Sequence, residues 1–243
     1  MIDTVFFDLD GTLLPMDQDK YVNTYLDLMA VKMEPQGYDP MQLIAAIWSG
    51  CWAIAENDGT ATNEEVFWQT FCGIFGADAR KDEPLLLEFY ATDFNLARAV
   101  CGFAPEAAEV IGLLKERGVD RVLATAPVFP AIATRQRIRW AGLKPEDFSL
   151  ITTYENSHYA KPSPEYYREI LQKLGKKPEN CLMVGNDVAE DMVPAAAVGM
   201  QVFLLTPCII NRKGLDTTRY PQGGFEELKD FLLKQLQNAG AGV

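Results

Sequence analysis

The sequence predicts an α/β protein, a doubly wound parallel sheet that carries a smaller all-helical domain. Five short and continuous apolar segments are typical of parallel strands that are covered on both faces. Helix-like segments lie between the last four of them, and such alternation indicates a doubly wound sheet. One long interval, from about residue 16 to residue 100, contains no convincing strand and accounts for the second domain.

The predicted strands are short apolar runs that do not alternate with polar residues. They are Thr4–Phe7, Arg121–Thr125, Leu150–Tyr154, Cys181–Gly185 and Val202–Thr206. The segment PEAAEVIGLLKERG, before the second strand, begins with Pro105 and ends at Gly118, as helices often do. The segments PAIATRQRIRWAG, SPEYYREILQKLG and AEDMVPAAAVG fill the next gaps, and GFEELKDFLLKQLQ indicates a last amphipathic helix.

The interval after the first strand has apolar residues at helical spacing, for example Tyr21, Tyr25 and Leu28. Thr62, with a glutamate three residues later, forms a capping-box pattern that marks a helix start. We therefore expect a catalytic core formed by residues 1–15 and 101–243 and a domain of about four helices, residues 16–100. Five aromatic residues of this domain are interpreted as its core, with a cage around the substrate as the alternative: Trp48, Trp52, Trp68, Phe71 and Phe75.

The composition excludes several classes of protein. The chain has 243 residues, of which 48% are hydrophobic, and this permits a large buried core. A net charge of −12 argues against nucleic acid as a partner, because a phosphate backbone requires a basic surface. Five scattered cysteines without a CxxC pair indicate free thiols. With no basic leader and no long apolar stretch, we expect a soluble, cytoplasmic protein without a membrane partner.

Polar residues follow the predicted strands where each strand ends. Asp8 and Asp10 follow the first strand, Thr125 ends the second, and Lys161 lies in the loop after the third. Asp187 follows the fourth strand. Because the carboxyl ends of parallel strands meet at one edge of the sheet, these residues should lie together. Clustered carboxylates repel each other, and a hard cation such as Mg²⁺ relieves that repulsion.

Four segments resemble the ordered motifs of the haloacid dehalogenase (HAD) superfamily, whose core is a Rossmann-like sheet. They are DLDGT, the AT after the second strand, KPSPE and GNDVAEDM, and they span nearly the whole predicted core. The resemblance implies that Asp8 is the nucleophile and forms an aspartyl-phosphate. It implies that Asp10 is the general acid and base, and that Mg²⁺ binds to Asp8, the Asp10 carbonyl and Asp187.

The resemblance also implies a phosphate site formed by Gly11, Thr125, Ala126 and Lys161. In the fourth motif, either Asn186 or Asp187 could occupy the metal position; we favour Asp187, because a carboxylate is the stronger Mg²⁺ ligand. Asp191 is expected to order Lys161 or a metal-bound water, with direct metal binding as the alternative. The single histidine, His158, is interpreted as a loop residue near the rim of the site.

Asp10 favours phosphoryl transfer within this superfamily, because its dehalogenases do not need an acid two residues after the nucleophile. The inserted helices resemble the cap of small-molecule phosphatases, which limits access to the site. The resemblance therefore implies a Mg²⁺-dependent phosphatase that hydrolyses a small phosphorylated metabolite. A sugar-phosphate phosphomutase is the alternative, and a binding protein without enzymatic activity on the same fold is a third.

Overall fold

A parallel sheet of six strands forms the centre of the computed structural model, which describes residues 2–237. The strands lie in the order β3-β2-β1-β4-β5-β6, and every neighbouring pair is parallel. Their bounds are β1 Thr4–Phe7, β2 Asp120–Leu123, β3 Leu150–Ile151, β4 Cys181–Gly185, β5 Gln201–Leu205 and β6 Gln222–Gly223. Strand order reverses around β1, so the crevice of a doubly wound sheet opens at the carboxyl end of β1.

All five predicted strands are present, and the α/β prediction is confirmed. β1 and β4 have the predicted bounds, whereas β3 ends at Ile151, three residues earlier than expected. The sixth strand, β6, was not predicted. It consists of two residues in the polar segment Pro221–Gly224, so it lacks the apolar run by which the other strands were identified.

Four helices lie in residues 16–100, the first part of the connection between β1 and β2. They are α1 Gln18–Met33, α2 Pro40–Ala55, α3 Asn63–Phe75 and α4 Glu83–Ala91, with a 3₁₀ segment at Asp93–Val100 before the chain returns to the sheet. The predicted capping box is present, because Thr62 and Glu65 each bind the backbone N–H of the other. The chain leaves and re-enters the sheet layer side by side, where Met16 bridges to Cys101.

Five further helices cover the two faces of the sheet. They are α5 Pro105–Glu116, α6 Ala131–Trp140, α7 Pro164–Leu174, α8 Val193–Ala197 and α9 Phe225–Gln237. Side chains of α5, α6 and α9 pack with Phe7 and Val184 on one face. Those of α7 and α8 pack with Phe6 and Met183 on the other. Successive strand residues alternate between these two cores, which explains why the strands are apolar throughout.

The interpretation of the aromatic residues in α2 was wrong. Trp68 and Phe71 of α3 are buried and Phe75 is partly buried in the helical core, as expected. Trp48 and Trp52, however, are 44% and 67% exposed. The buried stripe of α2 is formed by smaller residues, namely Leu43, Ala46, Ile47, Gly50 and Ile54. Helical spacing located the aromatic residues but did not show which side of the helix is packed.

Two expectations from composition can be compared with the structure. All five cysteines are free, as predicted. No helix within residues 2–237 has both the length and the apolar character needed to cross a membrane.

Candidate active site

Asp8 is the first residue after β1, and its carboxylate is held by two donors. The backbone N–H of Asp8 still donates to the Val184 carbonyl of β4, at 2.9 Å, so the residue is fixed to the sheet. Lys161 Nζ donates to Asp8 Oδ1 at 2.8 Å, and Thr12 Oγ1 donates to Oδ2 at 3.0 Å. Asp8 is only 7% exposed, and its exposed part faces a cavity of about 490 Å³.

Lys161 links Asp8 to a second buried carboxylate. Its Nζ lies 2.6 Å from Asp191 Oδ1, and the side chains of Lys161 and Asp191 are 2% and 1% exposed. Burial alone would lower the pKa of Lys161, but Asp191 and Asp8 outweigh that effect and raise it well above its ordinary value. Lys161 is therefore a fixed positive charge against Asp8, and Asp191 is the residue that holds it there.

The carboxylate of Asp191 is closely packed against the backbone around it. Its Oδ2 accepts the backbone N–H of Asp187 at 3.0 Å. A Cβ atom added to Gly185, the last residue of β4, would lie 2.2 Å from that oxygen. Glycine at position 185 is thus required by the approach of the Asp191 carboxylate to the strand end, a contact that joins the two ends of the GNDVAED segment.

Asn186 and Asp187 both line the cavity but form different hydrogen bonds. Asn186 is 2% exposed; its Oδ1 accepts from Thr12 at 3.0 Å and its Nδ2 donates to the Cys208 carbonyl at 2.7 Å. Asp187 lines the cavity and accepts the N–H groups of Ala189 and Glu190, both with Oδ1. Asp187 caps the following helical turn with one oxygen and leaves Oδ2 for another ligand.

Asp10 forms an ion pair that the sequence analysis did not anticipate. Its Oδ2 contacts Arg137 Nη1, and Oδ1 has no hydrogen-bond partner among the described residues. Arg137 lies on α6, is fully buried, and stacks over the Phe129 ring at 4.1 Å. Burial raises the pKa of Asp10 to about 6, although Arg137 acts in the opposite direction. The helical spacing of Ala133, Arg137 and Trp140 indicates that Arg137 lies on the buried face of this helix, but it does not indicate that Asp10 is the partner.

The predicted phosphate-binding residues separate into two groups. Thr125, Ala126 and Lys161 line the cavity together with Asp8 and Asp10. The carbonyl of Thr125 accepts from the hydroxyls of Thr152 and Tyr166, at 2.8 and 2.9 Å, and this fixes the loop after β2. Gly11 does not fit the prediction: its N–H donates to the Leu14 carbonyl at 2.8 Å, and the residue adopts φ +85° in a tight turn. Glycine is needed there for the turn and for close contact with Asn186.

His158 does not take part in this arrangement. Its ring Nδ1 lies 2.8 Å from Glu169 Oε1, and its side chain is 39% exposed. Among the described residues, those that line the cavity do not include His158. The histidine fixes the loop that leads to Lys161 but lies outside the site.

Comparisons with known proteins identify the family. The family described as haloacid dehalogenase-like hydrolase matches residues 2–199. The chain belongs to this family. Ribulose-1,5-bisphosphate 5-phosphatase of Halopiger xanaduensis is 25% identical over 218 residues, which cover 85% of this chain and 86% of that protein. Pyrophosphatase PpaX of Bacillus anthracis is 27% identical over 236 residues, with 96% and 95% covered.

Solved HAD structures share the fold. A HAD phosphatase from Thermococcus onnurineus has a TM-score of 0.58 and 21% identity, over 95% of this chain and 98% of that one. A 2-haloacid dehalogenase from Pseudomonas syringae pv. tomato DC3000 has a TM-score of 0.62 and 20% identity, over 97% and 100%. Since both a phosphatase and a dehalogenase match, the HAD fold does not by itself identify the reaction. That choice depends on the side chains at the cavity.

The donor set of this HAD site is compatible with Mg²⁺. Within residues 2–237, no three His, Cys, Asp or Glu side chains form a ready metal cluster. A Mg²⁺ ion does not need one, because it binds through one or two carboxylates and keeps several waters. Asp8 and Asp187 line the same cavity, and Asp187 has an oxygen outside its capping bonds. The Bacillus subtilis HAD hydrolase YfnB, with a TM-score of 0.58 and 21% identity over 96% of this chain and 99% of that one, is described as bound to magnesium.

Proposed function

We propose that this HAD hydrolase is a Mg²⁺-dependent phosphatase that acts on a small phosphorylated metabolite through an aspartyl-phosphate on Asp8. One observation carries the proposal: Asp8 and Asp10 line one cavity, with Lys161 2.8 Å from the Asp8 carboxylate. The cation offsets the repulsion between an anionic nucleophile and an anionic phosphate. Attack on the carbon of a haloacid would require no proton donor, so the buried Asp10 carboxyl supports phosphoryl transfer instead.

The first step forms the covalent intermediate. An Asp8 oxygen attacks phosphorus, and the bond between phosphorus and the ester oxygen breaks. Asp10, in its protonated form, gives its proton to the departing oxygen, which leaves as an alcohol. Lys161 stays charged throughout because Asp191 and Asp8 favour its protonated form. Its role is to reduce the negative charge that develops on the phosphoryl oxygens.

The second step releases phosphate. Asp10, now a carboxylate, accepts a proton from a water molecule that attacks phosphorus, and the acyl–phosphate bond to Asp8 breaks. Asp8 is restored as a carboxylate and Asp10 as an acid. The Asp10 oxygen that carries this proton is assigned as Oδ1, because Oδ2 contacts Arg137 and Oδ1 has no partner.

The metal would be held by the carboxylates of Asp8 and Asp187 and by the main-chain carbonyl of Asp10. When bound, Mg²⁺ supplies positive charge that neutralises the phosphate and orients it. We favour Asp187 over Asn186, because a carboxylate is the stronger Mg²⁺ ligand and the Asn186 side chain already contacts Thr12 and the Cys208 carbonyl. Asp191 is assigned to positioning Lys161, since both of its oxygens are already bound.

We propose that residues 16–100 act as a cap over the core formed by residues 1–15 and 101–243. Gln18, Val22, Trp48 and Trp52 of this segment line the same cavity as Asp8, so a substrate in the cavity contacts both parts. A cap of this kind excludes bulk water and limits access to small molecules. In this proposal, side chains of the cap also contact the leaving group of the substrate.

The proposal is tested by measuring phosphate release from a panel of phosphorylated metabolites. We expect turnover with Mg²⁺, no turnover with EDTA, and recovery when Mg²⁺ is restored. Asp8→Asn should be inactive while its circular dichroism spectrum matches the wild type. Turnover in EDTA, or in Asp8→Asn, would contradict the proposal. Hexose 1-phosphates in the panel address the mutase alternative, because an isomerised sugar phosphate would be the product instead of free phosphate.

A further inference from the structure

The cavity that contains Asp8 is lined by two tryptophans as well as by charged side chains. Trp48 and Trp52 are one helical turn apart on α2, so they lie on one face of that helix. Both line the cavity that contains Asp8 and Thr125. Their exposure of 44% and 67% is unusual, because indole side chains bury large apolar areas when a partner is available. Here the space beside them is the substrate cavity.

Apolar and amide side chains also line the cavity beside Trp48 and Trp52. Val22 and Asn23 of α1 line it together with the tryptophans, and Ile210 contributes from the loop after β5. We call Trp48, Trp52, Val22 and Ile210 the aromatic wall. The wall and Asp8 line one cavity, so the alcohol part of a molecule whose phosphate lies at Asp8 shares that cavity with the wall.

The charges of the cavity show which substrates do not fit. Among the described residues that line it, the cationic side chains are Lys161 and Arg212. Lys161 is held by Asp8 and Asp191. Arg212 donates to Asp19 Oδ1 at 2.6 Å, in an exposed ion pair. Asp19 and Glu190 add carboxylates to the lining. A second phosphate group on the substrate would therefore meet a lining in which carboxylates outnumber these two cations.

We infer that the substrate is a phosphate monoester whose alcohol carries a flat, uncharged aromatic or heteroaromatic ring, and that this ring stacks on Trp48 and Trp52. The inference rests on the proposed phosphatase function for the position of the phosphate. It differs from the doubly phosphorylated substrate named for ribulose-1,5-bisphosphate 5-phosphatase, because the four residues of the aromatic wall include no cation and the cavity lining is rich in carboxylates. Stacking against an aromatic side chain is tolerant of ring identity but requires a flat ring.

Two non-hydrolysable ligands test the inference without turnover. They are 3-phenylpropylphosphonate and 3-cyclohexylpropylphosphonate, which match in charge and chain length but differ in ring planarity. By calorimetry with wild-type protein and Mg²⁺, the phenyl compound should bind about tenfold more tightly, as expected for one stacked ring. Equal affinities for the two phosphonates would overturn the inference.

Variants then assign the effect to the wall. Trp48→Ala and Trp52→Ala should each remove most of the preference for the phenyl ring. Trp52→Phe should keep it, whereas Trp52→Leu, which is apolar but not flat, should lose it. Met41→Ala is the matched control, because Met41 is a 78% exposed apolar residue on the same helix outside the cavity. If Trp52→Leu keeps the preference for the phenyl ring as well as Trp52→Phe does, the wall binds apolar groups of any shape and the stacking inference is wrong.

Hydrolysis separates this inference from the proposed function. With 2-phenylethyl and 2-cyclohexylethyl phosphate, kcat/KM should favour the phenyl ester in the wild type and not in Trp52→Leu. If the phosphonates show the ring preference but no ester is hydrolysed, the phosphatase function fails and the ring site stands. If instead the tryptophan variants change the oligomeric state in gel filtration and leave ring affinity unchanged, the wall is a contact between copies of the chain and the inference is wrong.

Discussion

The guanidinium of Arg137 contacts the carboxylate of Asp10, although the two residues are 127 positions apart in the sequence. Arg137 is fully buried on α6 and Asp10 lies in the turn after β1. The ring of Phe129 covers the guanidinium from another side. A buried ion pair of this kind fixes the direction of the Asp10 side chain and leaves Oδ1 buried without a hydrogen-bond partner among the described residues.

Arg137→Met should damage both stability and catalysis. Removing one partner of a buried ion pair costs about 3 kcal/mol or more in the free energy of unfolding. Loss of orientation at Asp10 should lower kcat by up to about 10²-fold. Arg137→Lys should retain part of the stability and part of the activity. The exposed Arg135, on the same helix, supplies the control Arg135→Met, which should change neither. Urea denaturation measures the stability and steady-state kinetics measures kcat. If Arg137→Met were as stable as the wild type, the ion pair with Asp10 would not contribute to stability.

Asp191→Asn should reduce kcat by about tenfold to a hundredfold, because groups that orient a catalytic side chain have effects of this size. Lys161 would keep Asp8 but lose the negative charge that now lies 2.6 Å from its Nζ. Gly185→Ala should have a similar effect, since its Cβ would displace the Asp191 carboxylate. Asp230→Asn, an exposed change on α9, is the control. Full activity of both Asp191→Asn and Gly185→Ala would show that Lys161 needs no such support.

Asp187 and Asn186 should respond differently to magnesium. Asp187→Asn should raise the Mg²⁺ concentration for half-maximal activity by about tenfold or more, because a charged ligand is lost. Asn186→Ala should lower the free energy of unfolding by about 1–3 kcal/mol, since it leaves the Cys208 carbonyl without its donor. Its Mg²⁺ requirement should stay close to the wild-type value. A titration of activity with Mg²⁺ in both variants decides between the two residues, and the reverse pattern would assign the metal to Asn186.

Glu169 should make stability depend on pH in the acid range. Burial alone would raise the pKa of Glu169, but hydrogen bonds from Lys173 and His158 outweigh it and lower the pKa. The folded state therefore favours the carboxylate. The contribution of the Glu169 carboxylate to the free energy of unfolding is complete above the pKa of an unfolded glutamate, about 4.3. It is lost as pH falls through the lower pKa of the folded state.

Thermal unfolding of Glu169→Gln measures this contribution. The variant should be less stable than the wild type by about 1 kcal/mol at pH 7, and the difference should shrink at about pH 3. Glu165→Gln, which removes an exposed partner of Arg168 on the same helix, should have little effect at either pH. A difference for Glu169→Gln that does not change with pH would show that the carboxylate charge is not responsible.

Much of the fold was accessible from sequence because the sheet is buried on both faces. Val5, Phe6 and Phe7 are fully buried, and such strands appear as unbroken apolar runs. β6 could not be found this way, because two residues at the edge of the sheet need no apolar pattern. The residues that follow the strands were also predictable, since parallel strands bring their carboxyl ends together.

The contacts that could not be predicted are those set by tertiary packing. The approach of Arg137 to Asp10 depends on how α6 lies against the turn after β1, which no local pattern encodes. Likewise, the spacing of Trp48 and Trp52 placed both on one helix face, but only the position of α2 beside the cavity shows that they are exposed. Gly11 was expected to contact phosphate, whereas its turn uses the N–H internally.

The covalent intermediate on Asp8 is the most direct test of the proposed chemistry. Asp10→Asn should slow release of phosphate from the intermediate, because no base remains to activate water. This variant would be mixed with Mg²⁺ and p-nitrophenyl phosphate, whose leaving group needs no proton from Asp10, then quenched in acid, digested and analysed by mass spectrometry. The expected result is one phosphoryl group on the peptide that contains Asp8, and none in the double variant Asp8→Asn with Asp10→Asn. Turnover by the wild type without any phosphorylated Asp8 peptide, or with the phosphoryl group on another residue, would contradict it.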